Sequence, residues 1–263
     1  MHLKKIRGKM TGEKFEVLWG IMKRLRKECP WDKEQTHDSI KAATLEESYE
    51  LIETIDEKNY IELKGELGDL LLHILFHSVI AEEEKNFSID DVIDGISAKL
   101  VRRHPHIFAE TKVKDNDDIM KNWEAIKLGE GRESVLEGVP KVMPGLARAY
   151  RLQEKASKVG FDWDNVENVW EKVEEELGEL KKVAEENNKE ETEKEFGDLF
   201  FALTNYARFL GINPENSIRY TNEKFINRFT YVEKKIKETG KKITESSLPE
   251  MDKYWEESKK HFK

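Results

Sequence analysis

An internal disulfide is excluded at the outset, because the 263-residue chain carries one cysteine, Cys29. A lone thiol suits a reducing compartment, so the expected location is the cytoplasm. Proline is scarce, at six residues, and sustained apolar-polar alternation is missing, which removes most strand signals. No apolar run approaches the ~18 residues that a membrane helix needs, and the basic Met1 to Met10 stretch is not followed by an apolar segment, so neither membrane insertion nor secretion is expected. A Gly-rich phosphate loop of the form G-x-x-x-x-G-K-[ST] is absent as well. Positive charge is in deficit, with 54 acids against 45 Lys and Arg for a net −9. That balance excludes the broad basic face of a duplex-DNA binder, and no nucleic-acid partner is expected.

What the chain has in plenty is Glu, Lys, Leu, Ile and Ala at helical spacing, which predicts an all-α fold. Charged residues at 38% are compatible with a thermophilic source. Helices are expected near residues 13–27, 38–57, 60–84, 89–103 and 117–128, then near 146–158, 166–187, 189–210, 214–239 and 249–259. Ser88-x-x-Asp91 is a capping-box pattern, and Asn213-Pro214 reads as an N-cap followed by proline at the first helical position. Six glycines and prolines crowd residues 129–145, the density of a linker. The expected organisation is a module at 1–128, a Gly/Pro linker at 129–145 and a second module at 146–263, each a helical bundle with a four-helix core.

An acidic signature occurs twice. Glu46-Glu47-x-x-Glu50 is followed by Glu66-x-x-Asp69, and Glu175-Glu176-x-x-Glu179 by Glu195-x-x-Asp198. Each second-copy acid lies 129 positions after its counterpart, as 175 follows 46, so a duplicated module built the chain. At about 100° per residue, Glu46, Glu47 and Glu50 share one arc of a helix, and Glu66 and Asp69 share one arc of the next. A tight turn near Lys58 and Asn59 brings the arcs face to face. Two such charges ~6 Å apart at an effective dielectric near 20 repel by about 3 kcal/mol, so a cluster of four is not retained for stability. A solvated helix face is the plain alternative for any single E-E-x-x-E, but five acids in register favour a hard-cation site. Oxygen-only ligands select Mg²⁺, with Mn²⁺ as a substitute. The candidate metal ligands are Glu47, Glu50, Glu66 and Asp69 in the first copy and Glu176, Glu179, Glu195 and Asp198 in the second. His73 and His77 have Ala202 and Tyr206 at the matching second-copy positions, so a di-iron bundle site is not expected and both read as core or helix-surface residues.

A cationic helix follows each acidic pair, with Lys99, Arg102 and Arg103 in the first copy and Lys224 and Arg228 in the second. Lys99 with Arg103, and Lys224 with Arg228, are like-charge i, i+4 pairs that point to an anion held between them, against the alternative of a solvated face. Lys121-Asn-Trp123-Glu-x-x-Lys127 and Lys253-Tyr-Trp255-Glu-x-x-Lys259 match in context. Trp123 and Trp255 are candidates for stacking on a base, with Lys127 and Lys259 reaching phosphate, against the alternative of core packing. Trp31-Asp32 and Phe161-Asp162, just before the acidic helices, are expected to close the site from the loop side. The ligand complementary to carboxylates, paired cations and an aromatic ring is a metal-bound nucleoside polyphosphate. Stacking tolerates every base, so broad base specificity is expected.

The runs Cys29 to His37, Thr44 to Glu50, Glu66 to Leu71 and Arg102-Arg-His-Pro-His-Ile-Phe108 resemble the MazG nucleoside triphosphate pyrophosphohydrolases, as do Lys158 to Trp163, Glu195-Phe-Gly-Asp198, Asn222 to Phe229 and Met251 to Trp255. The resemblance spans about Phe15 to Lys259. It implies an all-α tandem-repeat homodimer that hydrolyses nucleoside triphosphates to monophosphate and pyrophosphate with Mg²⁺. It implies metal binding by the two acidic sets and nucleotide contacts at Lys224, Arg228 and Trp255. Glu46 and Glu175 are then expected to orient or deprotonate the attacking water, with Lys and Arg side chains, Arg102 and Arg103 among them, neutralising the departing phosphates. Two further readings stay open: a selective dNTP or phosphoribosyl-nucleotide pyrophosphohydrolase, and a non-catalytic nucleotide-binding helical module.

Overall fold

The computed structural model describes residues 10–131 and 133–262, apart from the side chains at 116, 117, 120, 121, 124 and 128. Lys121 of the first tryptophan motif is thus outside the described side chains. Among the described residues there are helices and turns but no strand, as the missing alternation predicts. The chain divides into two compact units, Met1–Lys112 and Val113–Lys263.

The first unit contains α1 (Thr11–Glu28), α2 (Pro30–Glu34), α3 (His37–Asp56), α4 (Tyr60–Glu83), α5 (Ile89–Arg103) and α6 (Pro105–Phe108). Helix α4 is its hub, packing against α1, α3 and α5. Leu75, Phe76, Val79 and Ile80 on α4 interlock with Met22, Ile40 and Ile89 from those three neighbours. A buried Leu in such a core contributes roughly 2–3 kcal/mol relative to leaving it exposed. The two short helices α2 and α6 have no counterpart in the sequence reading. Each is a single turn or so opened by proline, too brief for periodicity to register.

The second unit holds α7 (Asn116–Gly129), α8 (Gly145–Ser157), α9 (Val166–Glu185), α10 (Lys189–Phe209), α11 (Pro214–Glu238) and α12 (Leu248–Ser258), with a 3₁₀ turn at Ile243–Glu245. Here α10 is the hub, against α8, α9 and α11. The sequence reading groups α7 with the first module and treats residues 129–145 as a linker; the boundary between the compact units falls at Lys112 and Val113 instead. The 133–143 segment is a run of turns, and the buried Lys155 ammonium donates to Val135 O at 2.6 Å, which fastens that segment to α8.

Both acidic helix pairs are joined by the same turn. Lys58 and Asn187, 129 positions apart, each adopt left-handed backbone with φ of 57° and 54°. The next residue, Asn59 or Asn188, caps the following helix by accepting from the Glu62 or Glu191 N–H. The reversal is short enough to lay the two acidic arcs side by side. Left-handed backbone strains a residue with a Cβ, least so asparagine. Lys58→Gly is therefore expected to raise stability by about 0.5–1 kcal/mol in urea unfolding, and Asn187→Gly by less.

Candidate active site

The two acidic arcs do meet in both units. Carboxylate oxygens of Glu47, Glu66 and Asp69 lie within 4.8 Å of one another in the first, and those of Glu176, Glu179 and Glu195 in the second. Glu50 stands close enough to Glu66 for its carboxylate to act on the Glu66 charge. Asp198 stands close enough to Glu195 to act on its charge. Partial burial, then the neighbouring Glu50 and Asp69 carboxylates, push the Glu47 and Glu66 pKa values above the ordinary carboxylate range. Burial, then Glu179, Asp198 and Glu176, do the same to Glu195. Oxygens this close and this reluctant to ionise together are a donor set that a divalent cation fits, since it replaces mutual repulsion with attraction.

The copies differ in what counterbalances the acids. In the second unit Lys172, one turn before Glu176, bridges Glu175 at 2.9 Å and Glu176 at 2.8 Å. Its pKa is driven above the usual lysine range by hydrogen bonds to Glu176 and then Glu175, so it stays an ammonium at any working pH. The matching first-copy position is Ala43, and there the partner comes from the neighbouring helix: His73 Nε2 lies 3.9 Å from Glu47 Oε1. The His73 ring is fixed from behind. Thr44 Oγ1 lies 3.0 Å from Ile40 O, and His73 Nδ1 and His77 Nε2 approach the same oxygen at 2.9 and 3.0 Å. Burial, then His37 and His73, lower the His77 pKa. A neutral His77 then accepts from His37 Nδ1–H at 2.8 Å. Core reading of His73 is correct as to burial, yet one edge of its ring faces the acids.

A cavity of about 660 Å³ opens beside the second acidic set. Lys172, Glu176 and Asp198 form part of its wall, and Leu152, Ala156, Phe161, Trp163, Phe201 and Ala202 supply apolar and aromatic surface. Phe161 and Asp162 line it from the loop before α9, as the motif spacing predicts for the loop side. Arg208 on α10 holds that loop, its Nη1 donating to Asp162 Oδ2 at 3.0 Å.

The remaining sequence candidates lie elsewhere or are engaged by the chain itself. Glu46 is exposed on α3, and Lys99 and Arg102 are exposed near the C-terminal end of α5, where Arg103 is half-buried. Lys127 is buried with its ammonium 4.7 Å from the Trp123 ring centre, so cation and ring occupy each other. Arg228 donates from Nε and Nη2 to Phe262 O at 2.9 and 2.7 Å, and its guanidinium carbon lies 5.8 Å from the Trp255 ring centre. Trp255 also packs on Phe225 at 5.4 Å, Lys259 pairs with Glu256, and Lys224 is half-buried on α11. None of Lys224, Arg228, Trp255 and Lys259 is among the residues lining the cavity. Sequence reasoning missed Lys172 and the cavity wall from α8. Comparing Ala43 with Lys172 across the repeat is the signal that marks the lysine.

Both acidic helix pairs coincide with a family model, that of the MazG nucleotide pyrophosphohydrolase domain, which matches residues 35–108 and again 164–232. The chain belongs to the MazG family. It is 44% identical over 95% of its length to the nucleoside triphosphate pyrophosphohydrolase/pyrophosphatase MazG of Thermotoga maritima, covering 98% of that protein. It is 39% identical over 94% of its length to the nucleoside triphosphate pyrophosphohydrolase of Escherichia coli K12, covering 97% of it. A third relative, the uncharacterized protein YabN of Bacillus subtilis, is 48% identical over 95% of the chain, which spans 53% of that longer protein. The tandem MazG modules thus account for the 129-residue register.

Raised pKa values make the acids a liability to the folded chain. Below the ordinary carboxylate range Glu66 and Glu195 are protonated folded or unfolded and the penalty is absent; as pH rises through the raised folded values it becomes complete. Glu195→Gln and Glu66→Gln are expected to raise the thermal midpoint of the metal-free protein at pH 7, with the gain vanishing at pH 3. Added Mg²⁺ is expected to stabilise the parent protein more than either variant, read by differential scanning fluorimetry.

Proposed function

We propose that this MazG protein is a Mg²⁺-dependent nucleoside triphosphate pyrophosphohydrolase, cleaving ribo- and deoxyribonucleoside triphosphates between the α and β phosphates to monophosphate and pyrophosphate, with Mn²⁺ able to replace Mg²⁺. The observation that carries this reading is the meeting, in the second unit, of a carboxylate cluster with a cavity large enough for a nucleoside. The names of the Thermotoga and Escherichia relatives support the reaction class.

Glu176, Glu179, Glu195 and Asp198 would hold the cation in the second module, and Glu47, Glu50, Glu66 and Asp69 in the first. When bound, Mg²⁺ supplies Lewis-acid polarisation of phosphoryl oxygens and a lowered pKa for the attacking water. Glu175, oriented by a hydrogen bond from the Lys172 ammonium, accepts a hydrogen bond from the water that attacks the α-phosphorus and takes its proton as the bond to the β-phosphate oxygen breaks. Lys172 also places one fixed positive charge at the cavity wall, where the polyphosphate would lie. The aromatic and aliphatic wall receives the nucleoside and keeps bulk water from it.

The same reading makes the protein a cytoplasmic homodimer without nucleic-acid partners. Among the described residues no helix is long and apolar enough to cross a membrane. Leu67 and Ile74 on α4 and their register mates Phe196 and Leu203 on α10 are all exposed, and apolar residues left exposed at matching positions of each unit support association between copies.

Glu179→Gln is expected to lower Mg²⁺-dependent pyrophosphate release from a triphosphate panel by about 100-fold or more, and Glu50→Gln reports the share of the first module. Full activity in the double variant Glu50→Gln/Glu179→Gln overturns the reading. Release of orthophosphate in place of pyrophosphate moves the cleaved bond, and tight binding with no turnover makes the protein a nucleotide-binding module.

A further inference from the structure

The loop before each acidic helix pair is fastened differently in the two copies. In the first unit Trp31, the counterpart of Phe161, stands edge-on to Phe76 of α4 with 6.3 Å between ring centres. Phe76 and Val79 belong to the buried core there. Their register mates, 129 positions on, are Asn205 and Arg208 of α10, and both line the cavity of the second unit. A short amide thus stands where the first copy has a core ring, and an arginine where it has a valine.

All three guanidinium nitrogens of Arg208 are engaged. Nε donates to Asn205 Oδ1 at 3.0 Å, Nη1 donates to Asp162 Oδ2 at 3.0 Å, and Nη2 donates to Asp162 Oδ1. The two bonds to Asp162 form a fork, which fixes the carboxylate in orientation as well as position. Asp162 Oδ1 also accepts from the Trp163 N–H at 3.0 Å. Among the described residues this pair is the one hydrogen-bonded tie from residues 160–164 to α10. On either side of the tied aspartate, Phe161 and Trp163 line the cavity yet keep 82% and 44% of their surface exposed. Aromatic surface left in water forgoes its hydrophobic stabilisation until a ligand covers it.

We propose that the Asp162–Arg208 pair is a nucleoside-positioning clamp, which holds the Phe161–Trp163 segment at the cavity so that its aromatic surface packs on the base. The inference rests on the proposed triphosphate substrate and adds to it the pair that places the nucleoside. The first copy forms the same helix pair with a valine at the arginine's position, so the clamp serves the cavity rather than the helices. Arg208 is a positioning residue that acts through the loop, because its guanidinium is already committed to Asp162 and Asn205. Without the clamp, the substrate's own binding energy has to order the segment, and affinity for the nucleoside falls.

The test separates the nucleoside from the phosphates. Steady-state kcat and KM are measured for ATP and for methyl triphosphate, which keeps the triphosphate chain and lacks the nucleoside, in the parent protein, Asp162→Asn, Arg208→Gln and the double variant. In each single variant the KM for ATP is expected to rise about tenfold with kcat within about twofold, while both constants for methyl triphosphate stay within about twofold. The double variant is expected to match a single one, since either substitution removes the same pair, whereas independent roles would multiply to about a hundredfold. An unchanged KM for ATP in Asp162→Asn overturns the proposal. Equal losses on ATP and methyl triphosphate overturn it too, by giving Arg208 a direct part at the phosphates, and so does multiplication in the double variant. Asp162 is exposed on its loop, so Asp162→Asn carries the comparison if Arg208→Gln fails to fold. If methyl triphosphate binds without turnover, its inhibition constant against ATP replaces its KM. Should the parent protein hydrolyse no triphosphate, the pyrophosphohydrolase reading fails by itself, and calorimetric affinity for AMP decides the clamp. A loss of about tenfold in Asp162→Asn then supports it, and an unchanged affinity, or no binding by the parent protein, overturns it.

Discussion

Carboxylates that repel one another, yet are held within a few ångströms, are the constraint around which each half of this chain is built. Carboxylate oxygens of three acids lie within 4.8 Å of one another in either unit, and the raised pKa values of Glu47, Glu66 and Glu195 reflect the tension. Left to themselves, four charged side chains on two helices would splay into water. The backbone prevents it. A one-residue left-handed turn at Lys58 or Asn187 and an asparagine cap reverse the chain within a few residues, and the packing of α4 and α10 against their neighbours holds the pairs together. Stability elsewhere in each unit thus offsets a site that opposes folding, as expected of a site kept for binding rather than for structure.

The two copies solve the same electrostatic problem with different residues. In the second, an ammonium from the same helix reaches two of the acids. In the first, a histidine ring from the partner helix faces one of them, positioned by Thr44 and steadied by His77 and His37. A lysine on a flexible stem gives a full, pH-independent charge that can be passed from carboxylate to phosphate. An imidazole is a smaller and stiffer partner, and it attracts the carboxylate only when the Nε2 facing Glu47 carries a proton. Equal acids in register therefore do not make equal sites, and the second unit is the one in which a large cavity adjoins the cluster.

Much of this was legible in the sequence, for identifiable reasons. Helix periodicity places the long helices to within a residue or two, because α3, α4, α9 and α10 are each about twenty residues or more and capped by side chains that follow local rules. The acids were legible because duplication repeats them at fixed spacing. Contacts set by tertiary packing were not legible. Trp123 and Trp255 read as stacking platforms, but a ring offers two faces to whatever is near, and here Lys127, Arg228 and Phe225 are near. Like-charged pairs such as Lys224 and Arg228 suggest an anion, yet Arg228 turns to the carbonyl of Phe262, far along the chain. The bond of Gln153 carries no local signal at all, because its acceptor is a carbonyl 48 residues away.

That last point bears on how a duplicated module acquires selectivity. The acids and the turn between them are shared, and what they are proposed to hold, a cation and its polyphosphate, is common to every nucleotide. Discrimination among nucleotides has to come from the rest of the wall, which in the second unit is drawn from α8, the loop before α9 and the far side of α10. Lys155, bound to Val135 O, ties the 133–143 turns to α8, and Leu136 from that segment completes the cavity lining. The residues between the two acidic signatures thus form part of the chamber beside the second acidic set.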